Sequence, residues 1–182
     1  MKFHVPIMLE LRNNQPKAQP PDIFVETGTW KGGTTALALN FFADVHTIER
    51  SVVHHIGAWR TFWTYGHVHC HFGDSRVVLA SLCELVLPPV PVFFYLDAHW
   101  FRVDHAVGKG EFPLWAEIEA IAARNVADVV VVDDVHSFGT ENPEPAWKDV
   151  TLENIVKAFQ NAGRVATGWE REGCDQVAVY LE

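Results

Sequence analysis

Six carboxylates stand where apolar runs end. Glu26 closes IFV, Glu49 closes DVHTI, Asp97 closes VFFYL, Asp133 and Asp134 close DVVVV, and Asp74 follows HVHCHF after one glycine. A pattern repeated in this way gathers acids at one end of whatever the apolar runs build. Glu26 also leads into a glycine cluster, Gly28, Gly32 and Gly33, after which Thr34, Thr35 and Ala36 open a helical stretch. Glycines let a backbone approach a ligand closely, and a helix N-terminus offers unpaired N–H groups. The spacing matches neither G-x-G-x-x-G nor a phosphate loop ending in Gly-Lys-Ser/Thr. A carboxylate just before such a turn repels a phosphate and welcomes an ammonium. Asp97, His99, Asp133 and Asp134 form a second constellation. Carboxylates crowded together without a cation raise one another's pKa, whereas Mg²⁺ takes oxygen ligands and keeps some of its waters. His99, close to Asp97 and free to titrate near neutrality, is a candidate general base. The plainer reading makes Asp133 or Asp134 a cap for the following loop.

The elements that must position these groups alternate. Strands are expected over Ile23–Glu26, Asp44–Glu49, His67–Phe72, Val92–Asp97 and Asp128–Asp134. Helices are expected from Gly33 to Phe42, after a Ser51 cap to Tyr65, from Ser75 to Leu87, from Pro113 to Arg124, and from Leu152 to Asn161. Such alternation predicts a mostly parallel sheet covered on both faces. Arg164–Trp169 and Gln176–Leu181 are joined by too short a link for a crossover helix, so they should form an antiparallel hairpin. The fold class is therefore α/β, a Rossmann-like, doubly wound, mostly parallel seven-stranded sheet with an antiparallel C-terminal hairpin. Residues 1–22, with the proline-rich NNQPKAQPPD, read as an N-terminal extension or partial lid, and residues 23–182 as a single domain. In such sheets ligands bind at the carboxyl ends of the strands, near the point where strand order reverses.

The motifs ETGTWKGGTT, TIER, GDS, YLDAHW, PLWAEIEAI and VVVVDD, in that order, resemble the class I S-adenosylmethionine-dependent methyltransferases. More narrowly they are similar to a small, largely uncharacterised methyltransferase-like group and to the metal-dependent sugar O-methyltransferases of macrolide and aminocoumarin pathways. The resemblance implies S-adenosylmethionine as cofactor. Glu26, Thr27, Gly28, Thr29, Gly32, Gly33 and Thr34 would hold its methionine end. Glu49 and Arg50 would lie at the ribose, Gly73, Asp74 and Ser75 at the adenine, and Asp97 beside the methionine amine. The resemblance also places metal-binding acids at Asp97, Asp133 and Asp134, with Mg²⁺ as the candidate ion and Asp97 and His99 as the catalytic pair. For Asp74 and Ser75 the competing reading is a helix N-cap.

The bulk composition narrows the function. The chain has 182 residues and a formal net charge of −9, which argues against a nucleic-acid partner because phosphate contacts need Lys and Arg. No run is long and apolar enough to span a membrane. The opening segment shows no secretory pattern, and three widely spaced cysteines suit reduced thiols, so a cytoplasmic location is expected. The expected activity is O-methylation of a small-molecule hydroxyl, assisted by a divalent metal, with a second copy of the chain a candidate partner. Two alternatives stand beside it. Asp97, His99 and His136 together make the ligand set of a non-haem metal oxygenase, and a methyltransferase-like fold can also serve as a non-catalytic binding domain. A nicotinamide-dependent dehydrogenase fits least, because of the glycine spacing. His67, His69 and His71 alternate and share one face of a strand. They could ligate a metal, but they read more simply as partly buried polar residues. Trp100, Phe101, Phe138 and Trp147 are candidate walls of an acceptor pocket or, equally, core residues.

Overall fold

Four strands are buried at every position: β1 (Ile23–Thr27), β4 (Val92–Leu96), β5 (Val129–Val132) and β7 (Val177–Leu181). Uninterrupted apolar runs are what strands covered on both faces require. With β2 (Asp44–Glu49), β3 (Val68–Phe72) and β6 (Ala166–Trp169) they form one seven-stranded sheet, ordered β3-β2-β1-β4-β5-β7-β6. The first five strands pair in parallel, and β7 pairs antiparallel to both β5 and β6. Strand order reverses between β1 and β4, which makes that crevice the switch point. The computed structural model describes residues 5–14, 19–98, 112–141 and 145–182.

Alternating residues of the strands build two cores. On one face Val25, Phe94, Leu96, Val130, Val132 and Val179 meet α4 (Ser75–Ser81), α5 (Leu114–Ala122) and α6 (Leu152–Asn161) through Leu79, Ile118, Ile121, Ile155 and Phe159. On the other, Phe24, Val45, Phe93, Tyr95 and Val131 meet Met8 and Leu11 of α1 (Val5–Asn13) and Ala38 of α2 (Gly33–Ala38). Met8 and Leu11 are fully buried, so the first helix contributes to this core.

Two helices stop earlier than their apolar periodicity suggests. The first, α2, ends at Ala38, and the chain then turns so that Phe42 packs at a tilt against Phe24 and Phe93, at ring-centroid separations of 5.1 and 5.5 Å. The second, α4, ends at Ser81 and continues as a wider π-turn over Leu82–Val86, closed by Leu87 N–H donating to the Leu82 carbonyl. Pro88 cannot continue a helix, and the wide turn buries both Leu82 and Leu87. The helix after β2, α3 (Val52–Phe62), is capped by Ser51, whose hydroxyl accepts from His54 N–H. A short 3-10 turn at Val135–Ser137 leads into the loop expected from Ser137 to Val150, which contains a second at Pro145–Asp149. Trp147 in the second turn is almost fully buried, with Phe112 and Phe138 against its ring. It is a core residue, and Phe138 packs beside it. Trp100 and Phe101 lie outside the described residues.

Candidate active site at the carboxyl end of the sheet

Where β1 leaves the sheet, the chain presses against the end of β4. Gly28 adopts a positive φ of 85°, and a Cβ there would lie 2.3 Å from the Asp97 carbonyl oxygen. Only glycine allows both that conformation and that approach. Asp97 N–H donates to the Thr27 carbonyl at 3.0 Å, and the Thr27 hydroxyl lies 3.3 Å from the same N–H. Gly28 N–H in turn donates to the carbonyl of Ile48 in β2, at 3.0 Å. The turn is thus tied to strands on both sides of β1. Gly32, also at positive φ, lies so close to Phe62 that a Cβ would clash with its ring.

Beneath the turn lies Glu26, 1% exposed. Its Oε2 accepts from the hydroxyls of Thr35 at the start of α2 and Thr47 in β2. Thr29 joins the chain of hydroxyls through Thr47. Burial pushes the Glu26 carboxyl up to about 7; the threonine hydroxyls pull against this, and the charge of Glu49 adds to it. Sequence reasoning missed Thr35 and Thr47. Thr47 sits opposite Glu26 in the β1–β2 register, a pairing that depends on strand order.

Glu49 is oriented by backbone. Its two oxygens accept from Trp30 N–H and Ser51 N–H, each at 2.7 Å. A carboxylate has about four acceptor positions, so two remain for a ligand. Gly73, also at positive φ, is tethered by its N–H to the Glu49 carbonyl. Asp74 is the N-cap of α4: it accepts from Arg76 N–H at 3.1 Å and from the Arg76 guanidinium at 2.8 and 3.0 Å. These bonds, with Arg50 at 3.8 Å, hold its carboxyl below the usual range. The capping reading therefore describes Asp74 in this structure, and Arg50 lies beside it. Ser75 is buried near Glu117 of α5. Glu117 is 0% exposed, and among the described residues neither of its oxygens has a hydrogen-bond partner of good geometry. Burial raises its carboxyl to about 7.

Asp97, Asp133 and Asp134 lie at the ends of β4 and β5 near enough for their charges to act on one another, but among the described residues they are not a set whose ligand oxygens all lie within 4.8 Å. Burial, then the charges of Asp133, Asp134 and Glu26, push the Asp97 carboxyl well above the carboxylate range. Burial and Asp133 raise Asp134 to about 6. Asp133 differs from the other two. One oxygen accepts from the Tyr95 hydroxyl and the other from Gln176 Nε2 at 2.6 Å. Asp134 occupies the left-handed backbone region, with φ 65°. The compact set of ligand atoms at this end is Asp134, His136 and Asp175. His136 Nδ1 lies 3.0 Å from Asp175 Oδ1, which also accepts His136 N–H. His99 lies outside the described residues.

This arrangement gathers acids at the carboxyl end of the sheet. Among the described residues no lysine or arginine pairs with Glu26, Asp97 or Asp133. A cationic ligand, whether ammonium, sulfonium or divalent metal, is the electrostatic complement of such a site.

Comparison with known proteins agrees with that geometry at the level of fold. No family model matches the chain, and no curated protein matches it by sequence. Solved structures do. A Streptococcus mutans protein provisionally named a methyltransferase, solved with S-adenosylhomocysteine, superposes with a TM-score of 0.64 at 11% identity, over 100% of this chain and 99% of that one. CalS10, an amino pentose methyltransferase of calicheamicin biosynthesis from Micromonospora echinaspora, solved with S-adenosylmethionine, gives 0.59 at 15%, over 97% and 89%. An S-adenosylmethionine-dependent methyltransferase from Aquifex aeolicus gives 0.58 at 14%, over 97% and 87%. With its 3-2-1-4-5-7-6 strand order and these neighbours, the chain has the fold of the class I S-adenosylmethionine-dependent methyltransferases.

Proposed function

We propose that this protein is an S-adenosylmethionine-dependent methyltransferase acting on a hydroxyl of a small molecule. The observation that carries the reading is Glu26, a buried carboxylate without a cationic partner among the described residues, directly under the Gly28–Gly33 turn at the switch point. A phosphate would be repelled there, and a donor with an ammonium and a sulfonium is attracted. The methionine carboxylate would meet backbone N–H groups of the turn, bounded by Thr29 and Thr34. The ammonium would lie over Glu26 and Asp97. The two free acceptor positions of Glu49 suit ribose hydroxyls. Adenine would lie against Gly73, Asp74 and Ser75.

In the reaction the acceptor oxygen attacks the sulfonium methyl in line, the carbon–sulfur bond breaks, and S-adenosylhomocysteine leaves. Alignment supplies much of the rate. Asp97 is the first candidate to take the acceptor proton, with His99 the second. Mg²⁺, which takes oxygen ligands, would be held by Asp97 and Asp134, while Asp133 offers only the lone pairs that Tyr95 and Gln176 leave. Such an ion would lower the pKa of a bound hydroxyl. The oxygenase alternative rests on Asp97, His99 and His136; His99 lies outside the described residues, and among those described the compact ligand set at this end contains one imidazole, His136.

Calorimetric titration with S-adenosylmethionine tests the reading. Binding in the micromolar range is expected, weakened at least about tenfold in Glu49→Ala through loss of the ribose hydrogen bonds. Absence of binding at millimolar cofactor would overturn it.

A further inference from the structure

A second cluster of metal-ligating side chains lies away from the strand-end acids, on β2 and the edge strand β3. Asp44 and His46 are two apart on β2 and share a face. His69 is the register partner of His46 on β3, and His71 lies two residues further along. The face is the one toward α4, because the intervening Val45 and Val68 pack into the opposite core. The intervals are short. Asp44 Oδ1 is 3.0 Å from His69 Nε2, and Asp44 Oδ2 is 3.4 Å from His46 Nε2. The ligand atoms of all three lie within 4.8 Å of one another. Asp44 begins β2 and Glu49 ends it, so at about 3.3 Å per residue the cluster starts roughly 16 Å from the cofactor end.

We propose that Asp44, His46 and His69 form a binding site for a divalent transition metal of the zinc type. Two imidazole nitrogens and a carboxylate oxygen are a donor set that suits such ions. The fourth residue gives the strongest support. His46 is 4% exposed, and its Nδ1 lies 3.0 Å from His71 Nε2. If Nδ1 carries the hydrogen and donates to His71, the lone pair of His46 Nε2 points toward Asp44 and His69. Metal-ligating histidines characteristically donate their other ring N–H in this way, which fixes tautomer and ring orientation. The His71 ring lies edge to edge with His46 and nearly parallel to it, at an interplanar angle of 3°, and the His69 ring centroid is 4.7 Å away, which holds that orientation. His69 and Asp44 are half-exposed, so an ion can enter from solvent and complete its shell with water. His67, in the turn before β3, lies against Tyr65 and outside the set. A bound ion would pin the edge strand β3 to β2.

The test uses untagged, chelator-treated protein titrated with Zn²⁺ by calorimetry and with Co²⁺ by visible absorption. The expected result is one Zn²⁺ with micromolar or tighter affinity and a rise of several degrees in Tm on saturation. His69→Ala and Asp44→Asn should each weaken binding at least tenfold while leaving circular dichroism unchanged. His67→Ala, outside the cluster, and His136→Ala, in the other compact ligand set, should bind as the parent does. The proposal is overturned if the parent binds no Zn²⁺ at about 100 μM. It is equally overturned if His69→Ala binds like the parent, or if His67→Ala or His136→Ala loses the ion to the same degree.

Discussion

The two ends of the sheet treat buried carboxylates in opposite ways. At the amino end, Asp128 is fully buried just before β5, but its charge is answered. Arg124 Nε lies 3.1 Å away, and Val92 N–H donates to the other oxygen at 2.9 Å. Arg124 goes on to the carbonyls of Pro88 and Val90, and Arg164 donates to those of Ala122 and Val126. At the carboxyl end, Glu26 is met by hydroxyls and Asp133 by a hydroxyl and an amide, and among the described residues no arginine pairs with either of them or with Asp97. A buried acid with its cation built in holds strands together. A buried acid without one raises the free energy of the folded chain and lowers it again when a cation arrives. The contrast separates structural acids from those available to a ligand, which their burial alone does not.

Breaking the carboxyl end should produce the largest effect. Asp97→Asn keeps the size of the side chain but cannot take a proton, so kcat should fall by about 10²–10⁴. Tm, read by calorimetry, should stay or rise. Parent-like turnover in Asp97→Asn would remove it from the catalytic role.

Breaking the amino end should do the reverse. Asp128→Ala leaves Arg124 buried without its partner, a change that costs about 3–5 kcal/mol of stability. Denaturant unfolding should show the loss, while the cofactor Kd of the remaining folded protein stays within about twofold of the parent.

Proton linkage offers a smaller and more diagnostic effect. The folded-state pKa of Glu26, about 7, lies above its unfolded value of 4.5, so the native chain binds the proton more tightly. Stability is therefore highest below pH 4.5 for this group, falls as pH rises toward 7, and levels off above it. The full span is on the order of 3 kcal/mol. Glu117, raised to about 7 by burial, adds a slope of the same sign. Glu26→Gln should flatten the measured slope between pH 5 and 7, and saturating S-adenosylmethionine should flatten it in the parent, because the ligand supplies the missing positive charge. A slope unchanged by the cofactor would place the ammonium elsewhere than over Glu26.

Much of the fold was legible in the chain. Apolar runs ending in acids marked the parallel strands, and the short link around Gly173 left the last two strands no choice but an antiparallel pair. Asp44–Glu49 and Leu152–Asn161 have the bounds their patterns suggest. Helix ends were less legible where packing overrode periodicity, as at Phe42 and at the π-turn before Pro88. The glycine turn was legible too, because a positive φ and a carbonyl 2.3 Å from a would-be Cβ leave only one residue type.

What each polar group does was decided in three dimensions. Sequence spacing reports neighbours along a helix or on one face of a strand; it is blind to cross-strand register, which depends on strand order. Thr47 reaches Glu26, Gln176 reaches Asp133, Glu49 is held by the Trp30 and Ser51 amides, and Asp74 is drawn to Arg76. His69 and His71, noticed as an alternating set with His67, instead find Asp44 and His46 on the next strand. The sequence by itself determined that acids would collect at the carboxyl ends of a doubly wound sheet, because burial period and strand ends are local properties. Only the tertiary structure decided which of those acids are already partnered and which still face a ligand, because a charge is compensated by whatever lies within a few ångströms, wherever it falls in the chain.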